Sequence, residues 1–305
     1  FGEQLRHDMG TGFPLLTTKR IAIKTMMTEL KWFLKGDTNI KYLVENGCKV
    51  WNGDAYKKYK ESGGKLETEV EFIDKIKGCD KFASKWGELG PIYGKQWRNW
   101  ETEVFQKDDE TNRVYHATQQ IDQIKNLLEQ LKSNPDSRRL IVSAWNVAEV
   151  SNMTLPPCHY GFQVYTRELS FDERVELCSE KKSKLSAINE SDLVYFNIPT
   201  RAISLMWNQR SCDTALGLPF NIASYGTLLT LLGIEVNMMP DQLISSIGDV
   251  HLYSNHIIGA TEQIGRTHFD LPTIEFSNVD ILNGEFDYDV QNYEYHPTIK
   301  YPLSN

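Results

Sequence analysis

Apolar residues recur at intervals of three and four along several stretches of the chain. In the segment 21–35 they fall on or near one face, and 217–232 is an almost continuous apolar run. Intervals of this kind are typical of helices that pack one face or their whole surface into a core. The helices predicted in this way cover residues 21–35, 40–45, 117–133 and 217–232, with a last helix after residue 256.

Shorter runs rich in apolar and β-branched residues predict strands over 140–145, 161–167, 202–209 and 241–252. Helices come first, and the strands are then separated by helices and long connections. This order predicts an α+β fold with a mixed sheet and flanking helices. Residues 1–305 are expected to form a single domain, in which the polar, charged intervals 52–88 and 168–198 are surface insertions.

Composition and charge limit the classes of protein to which this chain can belong. The chain has 305 residues, of which 40% are hydrophobic and 24% charged, which is ordinary for a soluble globular protein. No apolar run is long enough to span a membrane and no signal segment opens the chain, so no membrane partner is expected. The five cysteines are scattered without a CxxC pair, which disfavours a disulfide framework or zinc site and favours the cytoplasm. The net charge of −8 disfavours a general nucleic-acid binder.

The segment Leu155-Pro156-Pro157-Cys158-His159 holds the strongest candidate nucleophile. The two prolines stiffen the turn and hold Cys158 in one orientation. Cationic neighbours favour the reactive thiolate of a cysteine, and Arg138, Arg139 and Arg210 are the candidates. The alternative is that Cys158 is a small buried residue at the edge of a strand.

Other polar residues leave two interpretations open. Glu29, inside the first predicted helix, either points to solvent or faces inward as an acid or base with a raised pKa. Tyr93 lies on a loop constrained by glycine and proline, where it either packs in the core or serves a site. The pair Arg138 and Arg139 suits a phosphate, and one of the two could reach across an oligomer interface, because adjacent strand residues face opposite sides. The alternative is that both lie in a solvated turn.

Eight stretches together resemble the thymidylate synthase family, in order and over most of the chain. They are PLLTTKR (14–20), ELKWFLKGDTNIKYL (29–43), LGPIYGKQW (89–97), SRRLIVSAWN (137–146), LPPCH (155–159), WNQRSCDTALGLPFNIASYGTLL (207–229), GDVHLYSNH (248–256) and HPTIK (296–300). The resemblance implies the thymidylate synthase-like fold and a homodimer formed by sheet packing. It also implies reductive methylation of dUMP to dTMP, with 5,10-methylenetetrahydrofolate as donor of carbon and hydride, and no metal.

The resemblance assigns roles to residues at the nucleotide. Cys158 corresponds to the nucleophile that adds to C6 of dUMP. Arg210 and Ser211 correspond to phosphate ligands from the same subunit, and Arg138 and Arg139 to phosphate ligands from the partner subunit, so that the active site requires a dimer. The Arg210 guanidinium is also expected to favour the thiolate of Cys158.

Further roles concern the base and the sugar. Asn221 corresponds to the residue that reads the pyrimidine edge, and its amide matches uracil O4 and N3–H. Related cytosine-specific hydroxymethylases have Asp at this position, so Asn221 favours dUMP over dCMP. His251 and Tyr253 correspond to the pair that binds the deoxyribose hydroxyl. The proton-handling network around the base corresponds to Glu29, His159 and Tyr93.

The resemblance also implies a folate site. Trp51 would stack on the pterin, Asp213 would accept hydrogen bonds from the pterin, and Lys19 would meet the glutamate tail. Asp213 is also assigned to the dUMP site. The remaining residues assigned to the folate are Leu155, Gly217 and Phe220.

Two features depart from the family pattern. A further phosphate-binding arginine of the family would lie upstream of Phe1. The chain ends in the polar residues Ser304 and Asn305, where the family has a small apolar residue whose carboxylate helps to close the site. Entry of water would give 5-hydroxymethyl-dUMP, so the alternative is a dUMP hydroxymethylase of the same fold. A third interpretation, an inactive relative that binds RNA or a partner protein, is disfavoured by the intact set of candidate residues.

Overall fold

A five-stranded mixed sheet forms the centre of the computed structural model, which describes residues 1–108, 110–181 and 188–302. The spatial order is β1-β7-β6-β5-β4. Strands β6 and β7 are parallel, and the other neighbouring pairs are antiparallel. The strands are β1 (Glu3–Asp8), β4 (Ile141–Ser143), β5 (His159–Glu168), β6 (Arg201–Asp213) and β7 (Met239–His251).

Helices flank this sheet, and two antiparallel hairpins lie outside it. The hairpins pair β2 (Trp100–Lys107) with β3 (Val114–Ile121) and β8 (Thr273–Asp280) with β9 (Glu285–Gln291). The helices are α1 (Ile23–Leu34), α2 (Ile40–Glu45), α3 (Asn52–Glu61), α4 (Glu69–Gly78), α5 (Asp80–Trp86), α6 (Tyr93–Arg98), α7 (Gln123–Ser133), α8 (Phe171–Lys181), α9 (Glu190–Tyr195), α10 (Gly217–Val236) and α11 (Ile257–Ile264). The predicted α+β class with a mixed sheet is confirmed.

The helix predicted over 117–133 is wrong over residues 117–122. Residues up to Ile121 belong to β3, where they pair with β2. The helix begins after Asp122, whose carboxylate accepts a 3.0 Å hydrogen bond from the Lys125 N–H. Such a side-chain cap satisfies an N–H that has no partner inside the helix, and it fixes the start of α7.

The polar interval 52–88 contains helices α3, α4 and α5. Tyr59 packs against Phe72 with ring centroids 5.0 Å apart, and Phe72 and Ile76 are fully buried in the main hydrophobic core. The interval 168–198 carries α8 and α9, which enclose a small cluster around Cys178 and Leu193. Both intervals therefore contribute buried apolar side chains, and their status as insertions stays a prediction.

Helix α10 is the central helix of the core. By length and composition it could cross a membrane, which corrects the expectation that no apolar run is long enough, but 56% of its apolar 18-residue stretch is buried inside the fold. At Gly226 a Cβ would lie 2.6 Å from Pro14 Cγ, so the absence of a side chain allows this close approach. The helix thereby directs its N-terminal end, from Gly217 to Asn221, to the ends of β6 and β7.

Candidate active site

Most of the predicted site residues line one cavity of about 460 Å³. It lies where the ends of β6 and β7 meet α1, α3 and the start of α10. The predicted residues at its wall are Glu29, Trp51, Tyr93, Leu155, Cys158, His159, Ser211, Asp213, Gly217, Phe220, Asn221, His251 and Tyr253.

Strand register explains why distant motifs meet here. In the parallel pair of β6 and β7, Asp213 lies opposite His251. In the antiparallel pair of β5 and β6, His159 lies opposite Gln209, and the register shifts between His159 and Gly161. A bulge of this kind turns the local backbone. It places the turn that carries Cys158 over the same end of the sheet.

The turn at Cys158 is held by hydrogen bonds from two other elements. The Cys158 N–H donates to the Tyr93 hydroxyl oxygen at 2.8 Å. The Arg210 guanidinium donates to the carbonyls of Pro156 and Pro157, each at 2.9 Å, and its Nη2 lies 4.0 Å from Cys158 Sγ. The double proline thus offers carbonyl acceptors that fix Arg210 beside the thiol.

The electrostatic balance at Cys158 corrects one expectation. Burial raises the pKa of the Cys158 thiol, and this effect exceeds the lowering by the Arg210 guanidinium. The Asp54 carboxylate raises the pKa further. Arg210 therefore acts in the expected direction, but the net pKa of the thiol lies above its usual value.

Glu29 faces inward from α1 and is 7% exposed, which excludes the solvent-facing interpretation. Its Oε1 accepts a 2.8 Å hydrogen bond from the indole Nε1 of Trp51. Burial raises the pKa of Glu29 to about 7, although the hydrogen bond from Trp51 lowers it. A carboxyl group with this pKa changes protonation state near neutral pH, as a general acid or base requires.

The buried Tyr93 and the half-buried His159 form a pair beside the thiol. Their rings stack with centroids 4.3 Å apart. The Nδ1 of His159 lies 2.8 Å from the hydroxyl oxygen of Tyr225. Burial lowers the pKa of His159 to about 3 and raises that of Tyr93 well above its usual value. Both side chains are therefore neutral around pH 7, and they act through hydrogen bonds rather than charge.

Asn221 is oriented by a neighbour that the sequence analysis missed. Its Nδ2 donates to Gln209 Oε1 at 3.1 Å, and the same oxygen accepts from Trp207 Nε1 at 3.1 Å. The Gln209 Nε2 donates to the Ser211 carbonyl at 2.9 Å. Because every atom of the Gln209 amide has a fixed partner, the orientation of the Asn221 amide is fixed as well. A glutamine inside a buried strand was the available signal.

Asp213, the last residue of β6, also lines the cavity. Its Oδ1 accepts from the N–H groups of Ala215 and Leu216 at 2.9 and 3.2 Å, which anchors the carboxylate at the end of β6. His251 is the last residue of the neighbouring strand β7 and Tyr253 follows it, with ring centroids 5.1 Å apart. The structure thus brings the predicted sugar and folate residues to adjacent strand ends.

Lys19 lies apart from the cavity wall. It is 5% exposed, its ammonium donates to the Ala215 carbonyl, and its Nζ lies 4.6 Å from the centre of the Tyr301 ring. Burial lowers the pKa of Lys19 to about 8, while the Asp213 carboxylate raises it. In this arrangement Lys19 supports the backbone behind Asp213 and is not open to solvent.

Arg138 and Arg139 are exposed in the turn before β4. Among the described residues that line the cavity, neither appears. The strand predicted over 140–145 is shorter in the structure, where β4 spans Ile141–Ser143. Both arginines therefore lie outside the sheet, and the argument from opposite strand faces does not apply to them. Ser304 and Asn305 lie outside the described residues.

Several lining residues were not predicted from the sequence. Asp54 lies in the first turn of α3 and was assigned to a surface segment, although Trp51 immediately precedes that helix. The other missed residues at the wall are Phe33, Lys49, Val50, Gln209 and Leu216. Within residues 1–108, 110–181 and 188–302, no group of three or more His, Cys, Asp or Glu side chains is placed to hold a metal ion.

Comparison with known proteins identifies the family of this chain. A family model described as thymidylate synthase matches residues 1–305. The thymidylate synthase of Mycoplasma mobile is 41% identical, over 98% of this chain and 88% of its own length. The thymidylate synthase of Malacoplasma penetrans is 42% identical with the same coverage, and that of Staphylococcus haemolyticus is 38% identical over 100% of this chain and 89% of its own length. The chain therefore belongs to the thymidylate synthase family.

Proposed function

We propose that this chain is a methyltransferase that converts dUMP to dTMP with 5,10-methylenetetrahydrofolate and releases dihydrofolate. The observation that carries the proposal is the meeting of the Cys158 thiol, the Glu29 carboxyl and the Asn221 amide at one cavity wall. These groups supply a nucleophile, a proton carrier and a reader of the base. The names of the relatives point to the same reaction.

The first step is addition of Cys158 sulfur to C6 of the pyrimidine. The S–C6 bond forms, the π electron pair of C5–C6 moves towards C5 and O4, and the thiol proton passes to water. The fixed Arg210 guanidinium lowers the pKa of the thiol and so assists loss of that proton. The resulting electron-rich C5 is the atom that accepts the one-carbon unit.

Proton transfer around the base is assigned to Glu29. Its pKa of about 7 leaves both protonation states accessible near neutral pH. The neutral His159 and Tyr93 side chains hold their positions through stacking and hydrogen bonds. They can orient the base and ordered water without adding charge to the buried wall.

Asn221 is the proposed reader of the pyrimidine edge. One N–H of its amide is directed to Gln209, which leaves the carbonyl oxygen and the second N–H for a ligand. Uracil presents N3–H and O4, which match an acceptor and a donor. Cytosine presents the reverse pattern at these positions, so the same amide discriminates against dCMP.

The residues beside the nucleotide fit a folate. An apolar wall is formed by the buried indole of Trp51, the Phe220 ring and the Leu155 side chain. Asp213 adds a carboxylate that can accept hydrogen bonds from ring N–H groups. When bound, 5,10-methylenetetrahydrofolate supplies both the carbon and the hydride. The chain's residues bind and orient it and exclude water. The buried position of Lys19 makes contact with a glutamate tail dependent on a rearrangement there.

Phosphate binding is assigned to two subunits of a homodimer. Arg210 and Ser211 come from the same chain, and Arg138 and Arg139 would come from the partner subunit. Support comes from the exposure of both arginines and from apolar side chains on the sheet, where Ile141 and Tyr165 are 56% and 66% exposed. Paired guanidinium groups suit a phosphate dianion on an otherwise acidic protein.

A mixing experiment tests the shared site. The Cys158→Ser variant and the double variant Arg138→Ala/Arg139→Ala are each expected to be nearly inactive. After subunit exchange, half of the random dimers combine both chains and carry one intact site, so roughly a quarter of the wild-type activity returns. No recovery, with exchange demonstrated by mass, would contradict the contribution across the interface.

The hydroxymethylase alternative depended on Ser304 and Asn305, and the relatives' names favour the synthase. We place the enzyme in the cytoplasm, in agreement with its free cysteines.

The test of the function combines purified protein, dUMP and 5,10-methylenetetrahydrofolate. Dihydrofolate absorbance and the mass of the nucleotide are followed together. Equal yields of dihydrofolate and dTMP are expected, whereas a hydroxymethyl product without dihydrofolate would overturn the assignment.

The Cys158→Ser variant is the matched control for that assay. It removes the nucleophilic sulfur and keeps a side chain of similar size. We expect dUMP binding to persist without turnover, as measured by calorimetry and product analysis. Turnover at a near-normal rate in this variant would exclude Cys158 as the nucleophile.

A further inference from the structure

His256 lies between the cavity and the C-terminal segment of the described chain. Its side chain is fully buried, and its backbone N–H donates to the Tyr253 carbonyl at 2.9 Å. The ring Nε2 lies 2.7 Å from the carbonyl oxygen of Pro302. A carbonyl oxygen can only accept, so Nε2 carries the proton and donates it.

The other ring nitrogen is directed to the cavity residue Asp213. His256 Nδ1 lies 3.7 Å from Asp213 Oδ1, and among the described residues it has no hydrogen-bond partner. Buried polar atoms in folded proteins nearly always have a partner. Nε2 carries the ring hydrogen in the contact with Pro302, so Nδ1 and the Asp213 carboxylate face each other as two acceptors unless Nδ1 carries a hydrogen as well. A small movement of Asp213 therefore changes the electrostatic interaction between the carboxylate and the His256 ring.

The segment that His256 holds is packed on α11. The Tyr301 hydroxyl donates to Gln263 Oε1 at 2.9 Å, and a Cβ at Gly259 would lie 2.7 Å from Tyr301 Cε1. The Tyr301 and His256 ring centroids are 5.1 Å apart. This packing leaves His256 as a direct link between Pro302 and the wall of the cavity.

We propose that His256 is a positioning residue that couples the Asp213 carboxylate to the placement of residues 301 and 302. Binding of a folate ring N–H by Asp213 then stabilises the hydrogen bond from His256 to Pro302. That hydrogen bond in turn stabilises the bound folate. This inference rests on the proposed function, since it takes the folate as the ligand at Asp213. The reciprocal effect follows from linkage, because two contacts that share one arrangement stabilise it together.

Two substitutions at His256 separate the packing of its ring from its hydrogen bond to Pro302. His256→Phe keeps an aromatic ring for packing against Tyr301 and removes both nitrogens. His256→Gln keeps an N–H at about the distance of Nε2, so it retains a donor for the Pro302 carbonyl. If His256→Phe is unfolded at the assay temperature, His256→Asn replaces it, because the shorter amide does not reach that carbonyl.

Steady-state kinetics and hydrogen exchange are measured on the full chain. In His256→Phe we expect the KM for 5,10-methylenetetrahydrofolate to rise about five- to tenfold, in the range of ordinary coupling between sites. The Kd for dUMP should stay within about twofold of wild type by the same coupling argument. Exchange should accelerate in the peptide covering residues 296–302, and His256→Gln should restore most of the protection.

Tyr301→Phe is the control variant. It loosens the same segment by removing the bond to Gln263 and leaves both contacts of His256 in place, so the folate KM should change little. The same rise in folate KM in Tyr301→Phe as in His256→Phe would overturn the inference. Equal weakening of dUMP and folate binding in His256→Phe would overturn it as well, because it would indicate general loss of structure.

The wild-type protein in the same assays separates this inference from the proposed function. If wild type forms no dTMP, the proposed function fails, while faster exchange at 296–302 in His256→Phe still supports the link to Pro302. If wild type is active and His256→Phe has an unchanged folate KM, the coupling is wrong and the enzyme assignment stands.

Discussion

Trp51 and Glu29 are joined by a 2.8 Å hydrogen bond from the indole Nε1 to the carboxylate Oε1. The two residues come from different parts of the chain, since Glu29 lies in α1 and Trp51 immediately precedes α3. Both are buried at the cavity wall. The aromatic surface proposed for the folate and the proton carrier proposed for the nucleotide therefore share one contact. A change in the position of the indole alters the protonation of Glu29.

Trp51→Phe is expected to move the pH dependence of turnover. Burial raises the pKa of Glu29 and the indole hydrogen bond lowers it, so loss of the bond raises the pKa further. The limb of the kcat–pH profile that reports Glu29 should shift upward by about one pH unit, the equivalent of one hydrogen bond to a charged group. Trp32→Phe is the control, because that indole donates to the Asn39 carbonyl instead. An identical profile in Trp51→Phe and wild type would contradict the assignment.

Glu29→Gln is expected to remove activity and to change how stability depends on pH. The folded pKa of Glu29 is about 7 against an ordinary value of 4.5, so the native state binds the extra proton between these values. Stability of the wild type therefore falls as pH rises through that window, by a total of about 3 kcal/mol. Glutamine does not titrate, so the variant gains stability relative to wild type by up to this amount.

Urea unfolding at pH 5 and pH 8 measures this difference for Glu29→Gln. The exposed Glu61 at the end of α3 provides the control Glu61→Gln, which should follow wild type at both pH values. A parallel change of stability in wild type and Glu29→Gln would show that Glu29 titrates with an ordinary pKa.

The local sequence correctly predicted the helices and strands whose hydrophobic pattern is long or whose ends carry clear capping residues. The helix over 40–45 has the predicted limits, because Asn39 accepts from the Lys41 N–H and caps it. Residues 117–121 were assigned to a helix because their side chains permit either structure. These residues form a strand because they pair with β2, which lies twelve or more residues earlier in the chain. A local sequence pattern contains no information about such a partner strand.

The site was predictable as a set of residues and not as a set of contacts. Motifs identified Asp213 and His251, but the parallel pairing of β6 and β7 is needed to place them side by side. Asp54 was missed because a charged residue at the start of a polar helix usually faces solvent. Lys19 was expected near a ligand, and burial behind Asp213 became visible only from tertiary packing.

Asp54→Asn is expected to make Cys158 more reactive in the protein without nucleotide. Asp54 raises the pKa of the Cys158 thiol through its negative charge, so a neutral amide lowers that pKa and increases the thiolate fraction. The rate of iodoacetamide labelling at pH 7.5 should increase about two- to threefold, as a modest change in pKa implies. Peptide mass spectrometry measures the rate at Cys158, with Cys79 as an internal reference.

Asp74→Asn is the matched control, because Asp74 is an exposed carboxylate on α4. It should leave labelling of Cys158 unchanged. A slower or equal rate in Asp54→Asn would show that the Asp54 charge does not reach the thiol.

Asn221→Asp is expected to shift the preference of the enzyme from dUMP towards dCMP. A carboxylate accepts from the N4 amino group of cytosine and has no N–H for uracil O4. Loss of that match should lower kcat/KM for dUMP by about a hundredfold, as an unpaired buried polar group implies. The ratio of kcat/KM values for the two nucleotides is the measurement, and Asn221→Ala is the control that removes both hydrogen-bonding functions.

The contact with Gln209 limits how much dCMP activity Asn221→Asp can gain. Gln209 Oε1 is held by Trp207, and Gln209 Nε2 by the Ser211 carbonyl, so the glutamine amide cannot turn without breaking both bonds. Asp at position 221 then places a carboxylate oxygen against Gln209 Oε1, and dCMP turnover should remain well below the wild-type rate with dUMP. Asn221→Ala should lose dUMP activity without gaining dCMP activity. If Asn221→Asp kept the wild-type nucleotide ratio, the base edge would have to be read by another group at this wall, and Asn221 would serve to orient Gln209.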